Sequence, residues 1–124
     1  MDGLMLNLSD KLINELNSFV PHARLELPNG TVDLYSSDMG DKLLDAGFLN
    51  FVVRNASSVQ GYPLTEFEGT KLTVIGQENL KKPNASYIMY VWIEEERLCA
   101  QHWDGFISYF DLKTFAFLEQ KFIK

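Results

Sequence analysis

Residues 87 to 110 constrain the fold more than any other part of the chain. The run YIMYVWI at 87–93 is dense in β-branched and aromatic residues and apolar on both alternating faces. This pattern predicts an inner strand covered on both sides, with Trp92 buried. Glu94-Glu95-Glu96 is expected to turn the chain, and Asp104-Gly105 is typical of a tight hairpin between two further strands. Because hairpins join antiparallel neighbours, this region predicts an antiparallel sheet.

A second hairpin is predicted near the N-terminus. RLEL at 24–27 and TVDL at 31–34 alternate polar and apolar residues, and PNG between them favours a turn. Further strands are expected at 48–54 and 71–75. Residues 55–70 lack a regular pattern and predict a long loop, a kind of segment that often carries function. The apolar face shared by the hairpin should comprise Leu25, Leu27, Val32 and Leu34.

Three helices are expected around these strands. Leucines at helical spacing predict the first over residues 8–20, with Ser9 or Asn7 as N-cap. A short helix is expected over 38–46 and ended by Gly47. The stripe at 115, 118 and 122 predicts a final helix that Asp111 would cap. The predicted class is α+β: an antiparallel sheet with N-terminal and C-terminal helices packed on it, in a single domain over 1–124.

The composition agrees with one ordinary domain. The chain has 124 residues, 46% of them hydrophobic, which is enough to form a core without a disulfide or a metal. The N-terminal residues do not have the pattern of a signal peptide, and no run has the length of a membrane span. A single cysteine cannot form an internal disulfide. We therefore expect a cytoplasmic protein.

Charge narrows the classes of partner. Eleven basic and seventeen acidic residues give a net charge of −6. This balance argues against nucleic acid and against anionic membrane surfaces, which both attract basic proteins. It suits a basic protein partner, because complementary potentials speed encounter. The alternative explanation is that the charge serves solubility alone.

No motif for catalysis is recognisable, so we expect a non-enzymatic protein without cofactor or metal. Cys99 and His102 lie three apart on a predicted strand and should point to opposite faces. His102 and Asp104 share a face, but Asp before Gly is favoured in turns for backbone reasons. There is no glycine-rich phosphate loop, nucleophile elbow or zinc motif. Paired carboxylates could come only from loops, for example Glu66 and Glu68.

One acidic segment resembles a protein-binding patch. Residues 33–45 hold four aspartates against one lysine and are bordered by aromatic and methionine residues. Carboxylates around aromatic anchors are typical of protein interfaces. The adjoining loop 62–68 adds acidic and aromatic residues of the same kind. The predicted partner-binding residues are Asp33, Tyr35, Asp38, Asp41, Asp45, Tyr62, Glu66, Phe67 and Glu68.

In general character the chain resembles the immunity proteins of bacterial toxin systems, including contact-dependent growth inhibition. It shares their small size, acidic balance, aromatic content and lack of an active site. QHWDGFISYFD at 101–111 and FLEQKF at 117–122 are similar to the ends of such proteins. The resemblance implies an antidote that binds a cognate basic toxin domain, such as a nuclease, and blocks its active site. The alternatives are a small regulatory or ligand-binding domain, with a cavity lined by aromatics of 87–110, and an enzyme with dispersed residues.

Overall fold

The computed structural model describes residues 9–28, 30–55, 64–67, 70–76 and 87–122, with the backbone alone at 64–67 and 70. Two helices and two antiparallel sheets make up this part of the chain, as expected for an α+β protein. The elements are α1 Asp10–Ser18, β1 Ala23–Leu27, β2 Gly30–Leu34, α2 Ser37–Asp45, β3 Phe48–Arg54, β4 Leu64–Phe67, β5 Thr70–Gly76, β6 Ile88–Glu94, β7 Arg97–His102, β8 Phe106–Asp111 and β9 Phe117–Phe122.

The first sheet has five strands in the order β1-β2-β3-β5-β4. The predicted hairpin at its edge is confirmed, because β1 pairs with β2 and Leu25 lies opposite Val32. Gly30 is required at the start of β2, since a Cβ there would lie 2.0 Å from the carbonyl oxygen of Arg54. The sequence predicted a loop over 55–70, but β4 lies within it and pairs with β5. Residues 56–63 and 68–69 of that loop lie outside the described residues.

The second sheet has four strands in the order β6-β7-β8-β9. Both turns predicted from the sequence are present. Glu95 and Glu96 adopt positive φ angles of 54° and 61° and join β6 to β7 through a two-residue turn. Gly105, with φ of 97°, lies in the turn from β7 to β8. These tight turns account for the antiparallel order of the sheet.

The helices predicted at 8–20 and 38–46 are present as α1 and α2, with ends that differ by one or two residues. Ser9 caps α1, because its hydroxyl accepts a hydrogen bond from the backbone N–H of Leu12 at 3.1 Å. Asn7, the alternative cap, lies outside the described residues. Gly47 follows α2 as predicted. Its φ is 95°, a conformation that glycine adopts easily, and its N–H donates to the carbonyl oxygen of Leu44.

Two hydrophobic cores lie on opposite faces of the five-stranded sheet. The inter-sheet core joins alternate residues of β2 and β3 to the four-stranded sheet, through side chains such as Phe51 and Phe110. The helix-side core joins the other face to both helices. Its members are Leu12, Ile13, Leu16, Tyr35, Met39, Leu43, Phe48, Val52, Leu72 and Val74. Both faces of the central strand β3 are therefore buried, which explains its nearly continuous apolar sequence.

The predicted C-terminal helix is wrong, since residues 117–122 form β9 and pair with β8. Asp111 does cap a turn, because its Oδ1 accepts hydrogen bonds from the N–H groups of Lys113 and Thr114. These two hydrogen bonds lower the pKa of the Asp111 carboxyl. The chain then leaves helical geometry at Phe115, which has φ of 59° and a buried ring. Burial of that ring and pairing with β8 outweigh the helical spacing of the apolar residues.

The prediction that Trp92 lies in an inner strand is also wrong. Within the described residues, β6 pairs only with β7 and ends its sheet. Trp92 is partly exposed, and its indole N–H donates to Glu94 at 3.2 Å. The neighbouring Tyr90 is 56% exposed. The two apolar faces of this strand therefore do not reflect burial on both sides.

Candidate functional site

The exposed face of α2 carries three of the predicted partner-binding aspartates. Asp38, Asp41 and Asp45 all lie on the surface. Their spacing of three and four residues places them on one side of the helix, along roughly 10 Å of its axis. We call these three residues the acidic face. The structure thus brings together the part of the predicted site that the sequence placed on this helix.

The rest of α2 fixes the acidic face in position. Met39 and Leu43 are buried in the helix-side core. Gly40 is also buried, and a Cβ there would lie 2.8 Å from the carbonyl oxygen of Tyr35, so the helix approaches the preceding backbone closely. A helix held on one side by such contacts presents its other side rigidly. A rigid surface loses little conformational entropy on binding.

The charge of the acidic face is not compensated by nearby described residues. No lysine or arginine of the described ranges forms an ion pair with Asp38, Asp41 or Asp45. The one lysine of α2, Lys42, pairs instead with Glu15 of α1 at 2.6 Å. This pair joins the two helices across the surface. The sequence did not indicate it, because the partners are 27 positions apart.

Two shallow grooves lie along α1, and one of them reaches the acidic face at Asp45. One, of about 420 Å³, lies between the helices and is lined by Glu15 and Lys42 as well as by Asp45. The other, of about 490 Å³, lies along α1 and includes Phe19. Phe19 is 42% exposed and follows the last helical residue. A partner side chain could enter the groove between the helices beside Asp45.

Asp33 and Tyr35, predicted as partner-binding residues, are buried at 0% and 1% exposure. Asp33 alternates with Val32 and Leu34 of the inter-sheet core, so its side chain points to the helix side of β2. The sequence suggested an exposed face there, but that face is covered in the folded protein. These two residues therefore do not contribute to the surface of the site.

Asp33 and Tyr35 instead belong to a network of charges and hydrogen bonds. The Asp33 carboxylate accepts from Arg24 Nε at 2.7 Å and from Arg54 Nε at 2.7 Å. Arg54 also donates to the Tyr35 hydroxyl at 2.8 Å and to Asn17 of α1 at 3.1 Å. Burial raises the pKa of the Tyr35 hydroxyl. A buried carboxylate needs such partners, and the network ties α1 to β1, β2 and β3.

The remaining predicted residues belong to the segment 62–68. Tyr62 and Glu68 lie outside the described residues. Glu66 and Phe67 lie in β4, where the structure describes the backbone, and their neighbours across the ladder are Lys71 and Thr70. Their part in the site stays a prediction.

The candidate catalytic residues Cys99 and His102 are both buried. Cys99 is fully buried, and burial raises the pKa of its thiol. His102 lies on the inner face of its sheet, where Nε2 is 2.7 Å from the hydroxyl of Ser108. Ser108 in turn accepts from Gln120 at 2.8 Å and is 0% exposed. The serine–histidine pair is therefore buried between the sheets, and no motif in the sequence indicated it.

Two aromatic residues of 87–110 are largely exposed. Tyr90 is 56% exposed and Trp103 is 66% exposed on the four-stranded sheet. Tyr109 is covered by cations, with the Arg97 guanidinium 4.2 Å from its ring centroid. The ligand-binding alternative, with a cavity lined by these aromatics, stays a prediction.

Metal-binding clusters and membrane-spanning helices in the described residues, and similar proteins, were each looked for, and none was found. The described residues contain no cluster of three or more histidine, cysteine or acidic side chains that could hold a metal ion. No helix among them is long and apolar enough to cross a membrane. No family model, curated protein or solved structure matches the chain.

Proposed function

We propose that this protein is a non-catalytic inhibitor of the immunity type, which binds a cognate basic toxin domain through the acidic face of α2. The observation that carries the proposal is a set of carboxylates that form no ion pair within the described part of the chain, on a helix fixed to the core. Asp38, Asp41 and Asp45 share one side of that helix. The immunity role itself rests on the resemblance in sequence character.

Physical chemistry supports a basic partner. Three carboxylates within roughly 10 Å act together, because their spacing is close to the Debye length of physiological salt. They add to a net charge of −6, which attracts a basic surface from a distance. If the toxin acts on nucleic acid, its basic surface would also bind the phosphates of the substrate. An inhibitor that occupies this basic surface would therefore block the substrate.

The position of Asp45 gives additional support. It is the last residue of α2, where the helix carbonyl groups carry partial negative charge. A carboxylate there lowers the stability of the helix. Asp45 therefore has no local structural benefit, whereas a role in binding would explain it.

The test is co-purification with the product of the neighbouring gene, followed by association kinetics at two salt concentrations. Replacing Asp38, Asp41 and Asp45 together by Asn should slow association at low salt by about tenfold and flatten its salt dependence. The matched control replaces three exposed glutamates, Glu26, Glu95 and Glu96, by Gln. It makes the same change in net charge at other places on the surface.

The two variants separate the possible outcomes. Slower association in the aspartate variant alone supports the acidic face as the binding site. Equal effects in both variants would show that net charge acts without a defined site. Unchanged kinetics in the aspartate variant would contradict the location, and absence of any protein partner would contradict the inhibitor role.

A further inference from the structure

Among the described residues, strand β6 has an open edge. It ends the four-stranded sheet, and within the described part of the chain its strand neighbour is β7 alone. Met89, Tyr90 and Ile93 are 37%, 56% and 38% exposed along it. Residues 88–93 include no charged residue and no proline, the usual protection of an edge strand.

The backbone groups on this edge follow from the turn into β7. Glu94 and Arg97 flank a two-residue turn and so form a hydrogen-bonded pair. The backbone N–H and C=O groups of successive strand residues point to opposite sides of the strand. Trp92, two residues before Glu94, therefore also directs its groups towards β7. Val91 and Ile93 direct theirs away from the sheet. Two donors and two acceptors therefore lie on the open side.

The open edge has a defined length. At its N-terminal end, Asn50 occupies the backbone groups of Ile88, accepting from the N–H and donating to the carbonyl oxygen, both at 2.9 Å. The register then shifts between Ile88 and Tyr90. At the other end, Glu94 begins the turn. The regular open segment is thus Tyr90–Glu94, and its midpoint is Trp92.

We propose that β6 pairs with β6 of a second copy of this chain, antiparallel about a two-fold axis at Trp92. Val91 of each copy then lies opposite Ile93 of the other, and their outward groups form four hydrogen bonds. The two Trp92 side chains meet on the outer face, and Tyr90 lies opposite Glu94. No like charges face each other, and the two sheets join into one of eight strands.

The pattern of side chains favours a second copy as the occupant. An antiparallel pair centred on a residue places each segment against its own reverse, so the sequence must be complementary to itself. Here aliphatic Val91 faces aliphatic Ile93, and the hydroxyl of Tyr90 faces a carboxylate. The interface includes no residue of the acidic face, so it does not depend on the proposed inhibitor function.

The first test is sedimentation over a concentration series. The wild type should dimerise, and Val91→Pro should weaken the dimer by about tenfold or more, because it removes two of the four hydrogen bonds. The monomer should tolerate this proline, since the Val91 N–H does not bond β7. Leu118→Lys, at an exposed position of β9, is the control that should leave the dimer unchanged.

The second test measures the register by disulfide cross-linking. In the proposed dimer, Trp92 lies opposite Trp92 of the second copy, and because its N–H and C=O point towards β7 the pair is non-hydrogen-bonded. In such a pair the Cα atoms are about 4.5 Å apart, within the range for a disulfide. Trp92→Cys should therefore give a covalent dimer on oxidation. The Cys99→Ser background is needed, because Cys99 is the neighbour of Trp92 on β7. Trp103→Cys in the same background, exposed but off the edge, should remain monomeric on a non-reducing gel.

Three results would overturn the proposal. The first is a wild type that stays monomeric up to about 1 mM, where even weak association is populated. The second is a dimer that Val91→Pro leaves unchanged while circular dichroism shows a folded variant. The third is a monomer whose β6 binds an added extended peptide instead of a second copy.

Discussion

Cys99 shows how burial determines the chemistry of one residue. It lies on β7 opposite Trp92 and Tyr109, and its side chain is inaccessible. Burial raises the pKa of the thiol, and the negative charge of Glu94 raises it further. The thiolate is the reactive form, so the environment disfavours nucleophilic chemistry. The sequence predicted an inert cysteine from strand parity, and the burial and pKa direction agree with that reasoning.

We predict that Cys99 makes stability decrease at alkaline pH. In the unfolded chain the thiol ionises at about pH 8.5, whereas in the folded protein it ionises at a higher pH. The contribution of the Cys99 thiol to the free energy of unfolding is therefore complete below the pKa of the unfolded chain. It is lost as the pH rises towards the pKa of the folded protein. Urea unfolding across this pH range should show that the free energy of unfolding falls more steeply with pH for the wild type than for Cys99→Ala. Equal slopes, or rapid reaction of the native thiol with a disulfide reagent, would contradict this prediction.

At the scale of elements, α2 shows a conflict between stability and the proposed binding. Asp38 lies in its first turn, where a carboxylate interacts favourably with the helix dipole. Asp45 lies at its end, where the interaction is unfavourable. An aspartate side chain therefore has opposite effects on helix stability at the two ends of α2. Both carboxylates would nevertheless attract a basic partner.

We predict that Asp45→Asn raises the free energy of unfolding by about 0.3–1 kcal/mol, whereas Asp38→Asn lowers it by a similar amount. Both substitutions should slow association with the proposed basic partner. Thermal unfolding at low salt and binding kinetics measure the two effects separately. If Asp45→Asn stabilised the protein without any effect on binding, Asp45 would not belong to the interface.

At the scale of the whole molecule, Asn50 joins the two sheets. It lies on β3, and its amide group donates to the carbonyl oxygens of Tyr35 and Ile88 while accepting from the Ile88 N–H. The side chain is 0% exposed. Its three hydrogen bonds satisfy the carbonyl group of Tyr35, next to β2, and both backbone groups of Ile88 in the other sheet.

We predict that Asn50→Leu, of similar size, destabilises the protein by about 3 kcal/mol or more, because it leaves three buried backbone groups unsatisfied. Asn14→Ala, at an exposed position of α1, should change stability by about 0.5 kcal/mol or less. Denaturant unfolding measures both. A small effect of Asn50→Leu would show that the two sheets associate without this link.

The turns and caps of this protein were determined by sequence alone. Asp104-Gly105, the glutamates at 95–96 and Ser9 act through backbone groups within a few residues, so their conformations follow from local chemistry. The pairing of adjacent strands and the exposed aspartates of α2 follow from these local features. That part of the fold and of the candidate site was predictable.

Only the tertiary structure decided what covers each face. An amphipathic pattern marks an apolar side but does not identify its neighbour, so Asp33 could be placed inside only once Arg24 and Arg54 were seen to neutralise it. Likewise, β6 became an edge strand although its sequence suits an interior one. The last segment pairs with β8 because Phe115 fills the inter-sheet core from a non-helical conformation. Such choices depend on contacts between residues far apart in sequence, whose energies no local pattern contains.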